Sequence, residues 1–238
     1  MNLLAHVRGA SKIIDRIPRN HPMKKFYLVW SFLSVNAWFW SSVFHTRDKP
    51  ITEKLDYFCA ASSILFALYY TVIRLFHLYP SQKAHSTIRI YTLWTSLCGI
   101  TFLSHISYLS LLPRFDYAYN IVFNLIIGLA HNALWLLYSL PISFIQRFPS
   151  KPKSYRPPYA SKAAVFVALT TAATALEVFD FPPLGRVIDA HALWHLATVP
   201  IGLFWKYIFL CRNHRRLWTT SGPAITPLLV ITQSNGPA

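Results

Sequence analysis

The sequence predicts an all-α fold, a polytopic bundle of transmembrane helices, and three observations lead to it. Hydrophobic residues fill 54% of the 238 positions and charged residues only 13%, a balance that suits lipid as solvent better than water. The apolar residues gather in six stretches, each near the roughly 20 helical residues that cross a hydrocarbon core about 30 Å thick. Most prolines fall between those stretches, where a missing N–H and a blocked preceding turn end helices.

In chain order, the expected spans are A over 26–45, B over 56–79, C over 87–109, D over 119–145, E over 160–181 and F over 187–210. Pro50, Pro80, Pro113, Pro149, Pro152, Pro157 and Pro158 mark the joints, and the Pro182-Pro183 pair ends span E. Pro141 and Pro200 fall inside spans D and F, and each is expected to kink its helix. The chain divides accordingly into a cytosolic segment 1–25, a six-helix core 26–210 and a cytosolic tail 211–238.

Charge sets the orientation. Six crossings place both termini on one side with the B–C and D–E loops. That side collects eighteen of the 23 Lys and Arg residues, against Arg47, Lys49, Lys54, Arg114 and Arg186 on the other. The positive-inside rule makes the termini cytosolic. The net charge of +15 sits in short clusters between apolar stretches, the pattern of loops facing an anionic leaflet, and nucleic acid is not expected as a partner. Three cysteines without CxxC spacing encode neither a disulfide framework nor a thiolate metal site. Charges at Arg8, Lys12, Asp15, Arg16 and Arg19 leave the N-terminus without the apolar core of a signal peptide.

The acids run the other way. Asp48, Glu53, Asp56, Asp116, Asp180 and Asp189 lie in or beside the luminal loops, and acids contribute little to topology, so their gathering points to a site. Span A ends with Ser41 and His45 four residues apart, on one helical face. Asp56 opens span B, and span F begins with His191 and His195, again an i, i+4 pair. All five side chains reach one depth near the luminal boundary.

Two imidazoles one turn apart, with a third from another helix, make a three-nitrogen set that leaves zinc an open position. His45, His191 and His195 are therefore the expected metal ligands and Zn2+ the expected cofactor. Asp56 is placed to orient a water or carry its proton, and Ser41 to donate to an oxyanion, so carbonyl hydrolysis follows as the reaction class. Polar groups inside a bilayer are expensive, which sets five convergent ones apart from packing residues. His77, His105 and His131, each without an i+4 partner, are read as hydrogen-bonding packing residues. Asn120 and Asn124 share a face of span D and suit a neighbouring helix or the site. Glu177 suits an ion pair with Arg186 or a helix end at least as well as a catalytic role, and the eight tryptophans suit interfacial belts.

The motifs also carry a resemblance. Asn36-Ala-Trp-Phe-Trp-Ser-Ser-Val-Phe-His-Thr-Arg-Asp48, Glu53-Lys-Leu-Asp-Tyr-Phe-Cys-Ala60, Ser107-Tyr-Leu-Ser110, Arg114-Phe-Asp-Tyr117, Asp180-Phe-Pro-Pro183 and Asp189-Ala-His-Ala-Leu-Trp-His195 resemble the CREST superfamily of membrane hydrolases. Within it they are most similar to the family of post-GPI attachment to proteins factor 3 and its fungal counterparts. What this resemblance implies is a zinc-type phospholipase A2 of the endoplasmic reticulum membrane, with the Golgi as alternative. Its reaction removes the sn-2 acyl chain from the lipid of GPI-anchored proteins, its substrates, at a luminal site. It also implies that His45, His191 and His195 bind the metal while Ser41 and Asp56 assist. Members of that family carry one further span before this region, so Met1 to His6 reads as the tail of a missing helix that closes the bundle. Three other readings stay open at this point: a ceramidase-like amidase, a non-catalytic membrane chaperone or metal-homeostasis protein, and a truncated inactive paralogue.

Overall fold

The computed structural model describes residues 1–79, 85–142, 145–149, 151–179, 181–183, 185 and 188–204. Among them are seven helices: α1 Asn2–Arg16, α2 Lys24–Thr46, α3 Pro50–Leu75, α4 His85–Leu111, α5 Tyr117–Ser139, α6 Ala160–Val178 and α7 Ala190–Phe204. The fold is an all-α bundle of membrane type, as expected. By length and composition, α3, α5 and α6 are each able to cross a membrane, and α7 is a shorter apolar helix. The remainder of span F and the tail 211–238 lie outside the described residues.

Packing runs in a ring: α1 on α2, α2 on α3, α3 on α5, α5 on α6, α6 on α7, and α7 back on α1, with α4 held outside it against α3. The segment expected as a helix tail followed by a loop is thus a 15-residue helix that joins α2 to α7. A search for long apolar runs passes over it because it is amphipathic. Its buried residues Asn2, Ala5, His6, Gly9 and Ile13 fall at i, i+3, i+4, i+7 and i+11, which is one stripe of a helix. The His6 ring meets Trp30 of α2 edge-on at 5.8 Å between centroids. Lys24 Nζ donates to the carbonyls of Ile14 (2.8 Å) and Ile17 (2.6 Å), placing a cation where the helix end leaves acceptors unpaired.

Two boundaries differ from the sequence expectation. Span B was to begin at Asp56, but α3 begins at Pro50, so Asp56 lies well inside the helix. Hydropathy marks the lipid-facing part of a helix, whereas proline at its first position and Thr52, whose hydroxyl accepts from Lys49 N at 3.1 Å, start the backbone earlier. Pro141 does not kink α5; it ends it. Leu140, just before the proline, is extended (φ −60°, ψ 148°), and Arg147 Nε bonds the Tyr138 carbonyl at 2.9 Å while Arg156 Nη2 bonds that of Ser139 at 2.9 Å. Pro200 does lie inside α7.

At its C-terminal end, α3 closes with Leu78 N–H on the Ile73 carbonyl at 2.9 Å and His77 in the left-handed region at φ 56°. His77 rather than glycine holds this position because its ring bonds the Tyr79 hydroxyl (2.8 Å) and the Gln146 carbonyl (2.7 Å). One turn earlier, Arg74 is buried: Nη1 donates to Tyr27 Oη at 3.1 Å and the guanidinium lies 5.0 Å from the Trp135 ring. This polar and aromatic core is about 27 Å along the helix from Asp56, at the opposite end of the bundle.

Candidate metal centre

Antiparallel pairing of α2 and α3 puts the first two site residues together. Ser34 Oγ lies 3.0 Å from Ser63 Oγ, and Asn36 Nδ2 donates to Cys59 Sγ at 3.0 Å. Moving seven residues along each helix from the Ser34 and Ser63 pair brings Ser41 opposite Asp56. The Ser41 hydroxyl lies beside the Asp56 carboxylate, which also faces His45 and His191 electrostatically. His45 follows Ser41 by one turn, near the C-terminal end of α2.

Asp189 sets the start of α7. Its Oδ1 accepts from Ala192 N at 2.7 Å and its carbonyl from Leu193 N at 3.1 Å, satisfying N–H groups that the first turn leaves free. His191 therefore falls in that turn and His195 one turn later on the same face. His191 Nε2 lies 2.8 Å from His195 Nε2 and 3.4 Å from His45 Nε2, and the ligand atoms of all three lie within 4.8 Å of one another. Nitrogens bound tetrahedrally to zinc at about 2.0–2.1 Å sit about 3.3 Å apart, a value these two separations bracket. The donor set fits a borderline-soft divalent ion, with His45 exposed and the other two half-buried.

The structure therefore brings together all five residues singled out in the sequence. It adds three more. Glu177 of α6 places Oε2 2.8 Å from His191 Nδ1. Its sequence signal was a carboxylate inside an apolar span opposite a histidine pair; the expected partner Arg186, like Asp180, lies outside the described residues. Trp38 packs on His195 with 5.2 Å between centroids, and Trp194 on His195 at 4.8 Å and on His191 at 5.4 Å. Both had been read as belt residues. Trp38 precedes Ser41 and His45 by three and seven residues, a spacing that already put it on their face.

His77, His105 and His131 stay out of the centre. His131 Nδ1 bonds Thr71 Oγ1 at 3.1 Å and His77 bonds as above, both as expected of packing residues. His105 departs from that expectation: it is buried, and neither ring nitrogen has a hydrogen-bond partner. Its ring instead lies flat on Phe123, 3.8 Å away at 17°. Asn124 Nδ2 turns back to Asn120, meeting its carbonyl at 3.0 Å and its Oδ1 at 3.2 Å. Two acids near the rim are taken by tyrosines, Glu53 by the Tyr117 hydroxyl and Asp116 by that of Tyr108 at 3.2 Å.

Membrane-length apolar helices that bring together a cluster of histidines able to hold a metal ion define a class, the helical membrane protein with a polar site between its helices. Within that class, the chain belongs to the Per1-like family, whose model matches residues 1–214. It is similar to a "Protein PER1 homolog" of Schizosaccharomyces pombe, 41% identical over 213 residues that make up 90% of this chain and 60% of that one. It is likewise similar to the "GPI-specific phospholipase A2-like PGAP3" of Mus musculus, 39% identical over 209 residues, 87% of this chain and 59% of the mouse protein. For the protein of the same name in Homo sapiens the identity is 40% over 194 residues, 81% of this chain and 54% of the human one. The chain thus spans little more than half the length of these relatives. No solved structure matches it.

Proposed function

We propose that the protein is a zinc-dependent lipid hydrolase that releases the sn-2 acyl chain from the lipid of GPI-anchored proteins. The observation that carries this reading is the convergence of three Nε2 atoms from α2 and α7 near the Asp56 carboxylate, which has the Ser41 hydroxyl beside it. The substrate class follows from membership of the Per1-like family and from the names of the relatives. Endoplasmic reticulum membrane, with the Golgi as alternative, is the proposed location. The site faces the lumen, where the charge distribution of the loops puts this end of the bundle.

His45, His191 and His195 hold the ion in this reading. When bound, zinc polarises an ester carbonyl and brings the pKa of water to about 7. Asp56 accepts the proton of the attacking water and returns it to the departing glycerol oxygen, so that water's oxygen ends in a fatty acid and the acyl–oxygen bond breaks to a lyso-lipid. Ser41 orients the Asp56 carboxylate at rest; once Asp56 is protonated its hydroxyl is free to donate to the oxyanion. Trp38 and Trp194 keep bulk water from one side of the histidines.

The test is incubation of the detergent-purified chain with a GPI-anchored protein, followed by mass spectrometry of the lipid and metal analysis. About one zinc per chain and a lyso product that disappears in His191→Ala are expected. Zinc without any lyso product would leave a metal-binding protein that is not this hydrolase. Neither zinc nor product would reject the metal centre altogether.

A further inference from the structure

Glu177 belongs neither to the three-histidine set nor to the Ser41 and Asp56 pair, and the sequence leaves its role open between an ion pair, a helix end and catalysis. Its Oε2 lies 2.8 Å from His191 Nδ1, while Nε2 of the same ring faces His195 Nε2 at 2.8 Å and His45 Nε2 at 3.4 Å. The two nitrogens of one imidazole therefore point at different chemistry. An ionised carboxylate only accepts hydrogen bonds, so the proton of a neutral His191 belongs on Nδ1 and the lone pair on Nε2. Among the described residues, His191 alone of the three has a hydrogen-bonded carboxylate.

Magnitude decides what the contact is for. The side chains of His191 and Glu177 are 43% and 36% exposed. A pair so open to solvent contributes at most about 1 kcal/mol to stability, too little to explain a carboxylate near the end of a membrane-length helix. Orientation is a different matter, because an imidazole binds metal through one nitrogen and loses that ability if the proton sits there. Glu177 also comes from α6, which packs on α7, so His191 is tied to a neighbouring helix as well as to its own.

We propose that Glu177 is a positioning residue of the metal centre, holding His191 in the Nδ1–H tautomer and in the ring orientation that offers Nε2 to a divalent cation such as zinc. The inference rests on the metal reading given under Proposed function. By the general behaviour of such outer carboxylates, its removal weakens metal affinity about 10- to 100-fold.

The experiment uses the full chain in detergent as wild type, Glu177→Ala and Glu177→Gln, with helicity followed by circular dichroism. Zinc dissociation constants come from competition with a chelator. The His191 tautomer comes from 15N-histidine spectra of the metal-free protein, its signal assigned by loss in His191→Ala. Expected are an Nδ1–H signal in the wild type, a mixed or Nε2–H signal in Glu177→Ala with zinc bound about 10- to 100-fold more weakly, and a smaller loss in Glu177→Gln. The glutamine keeps an acceptor oxygen and gives up only the charge. Should the alanine variant lose helicity, the glutamine variant and the wild-type tautomer carry the decision. Wild-type zinc binding with a Glu177→Ala constant within about twofold of it, or a wild-type Nε2–H tautomer, would overturn the proposal alone. Absence of zinc binding in the wild type would overturn the metal reading and this inference together.

Discussion

Asn2 and His195 stand 193 positions apart and are joined by a 2.8 Å hydrogen bond from Asn2 Nδ2 to the His195 carbonyl. The same amide reaches Thr198 Oγ1 at 3.0 Å, and that hydroxyl itself donates to the His195 carbonyl at 2.8 Å. Two residues later Pro200 removes the N–H that would bond the Leu196 carbonyl, and the neighbouring His195 carbonyl is the one these side chains bond. The first helix of the ring is thereby fastened to the helix that bears two candidate ligands. Asn2→Leu keeps the volume and removes both bonds of the amide. It is expected to cost about 1–2 kcal/mol and to speed proteolysis in the connection between α1 and α2. Melting of the detergent-purified variant measures it; an unchanged midpoint would mean that α1 docks by the rest of its buried stripe alone.

In the proposed hydrolase, substitutions at Ser41 and Asp56 are expected to separate catalysis from metal binding. Neither offers an atom to the three-nitrogen set, so Asp56→Asn and Ser41→Ala are expected to retain zinc. Loss of the proton acceptor lowers kcat about 10²- to 10⁴-fold, and loss of the hydroxyl lowers it less. Because the two side chains are neighbours acting on the same step, the double variant is expected to fall little below Asp56→Asn. Zinc content and single-turnover rates check both statements, and fully additive losses would show that the two residues act apart.

How much of this was legible in the sequence depends on the kind of signal. Helices α2 to α7 announce themselves by apolar length and proline punctuation, and the Ser41, His45, His191 and His195 spacings put side chains on common faces whatever the surroundings. Helix α1 escaped because its stripe of buried residues is too polar for a hydropathy search. Asp56 was placed beside Ser41, yet at a helix start rather than well inside α3, since lipid-facing composition and backbone helix are different properties. Glu177 and Trp38 needed the third dimension: that α6 lies against α7, and that α2 turns its tryptophan inward, follows from packing between segments far apart in the chain.

His21 should make the fold sensitive to acid. It is buried in the connection between α1 and α2, stacked on Tyr27 at 6.4 Å, and its Nδ1 accepts from Met23 N at 3.1 Å, a bond that requires that nitrogen to be unprotonated. Burial, with Arg74 and then Lys24 nearby, lowers its pKa from 6.5 to about 4. The folded state is thus neutral where the unfolded chain already takes up a proton. The contribution of His21 is complete above pH 6.5 and is lost as pH falls toward about 4, reaching up to about 3 kcal/mol. His21→Gln cannot take up that proton, so the difference in stability between wild type and variant should shrink by this amount across the window. A difference that stays constant from pH 7 to about 4 would reject the assignment.

His105 should be improvable. Its side chain is fully buried on α4, neither nitrogen is hydrogen-bonded, and its ring lies on Phe123 at 3.8 Å with Tyr119 at 5.5 Å on a nearly parallel plane. A polar group buried without a partner costs about 1–3 kcal/mol, and the stacking that compensates needs only a flat ring. His105→Phe keeps the ring and discards the two unpaired nitrogens, at the expense of a slightly larger volume. The variant is expected to be about 1 kcal/mol more stable, with zinc binding unchanged, because His105 contributes no atom to the candidate centre. His105→Ala should do the reverse, opening a cavity beside Phe123 and costing about 2 kcal/mol or more. If His105→Phe instead destabilises the protein as much as His105→Ala, the imidazole nitrogens must have partners in the membrane-embedded protein, and His105 would be a functional residue rather than a packing one.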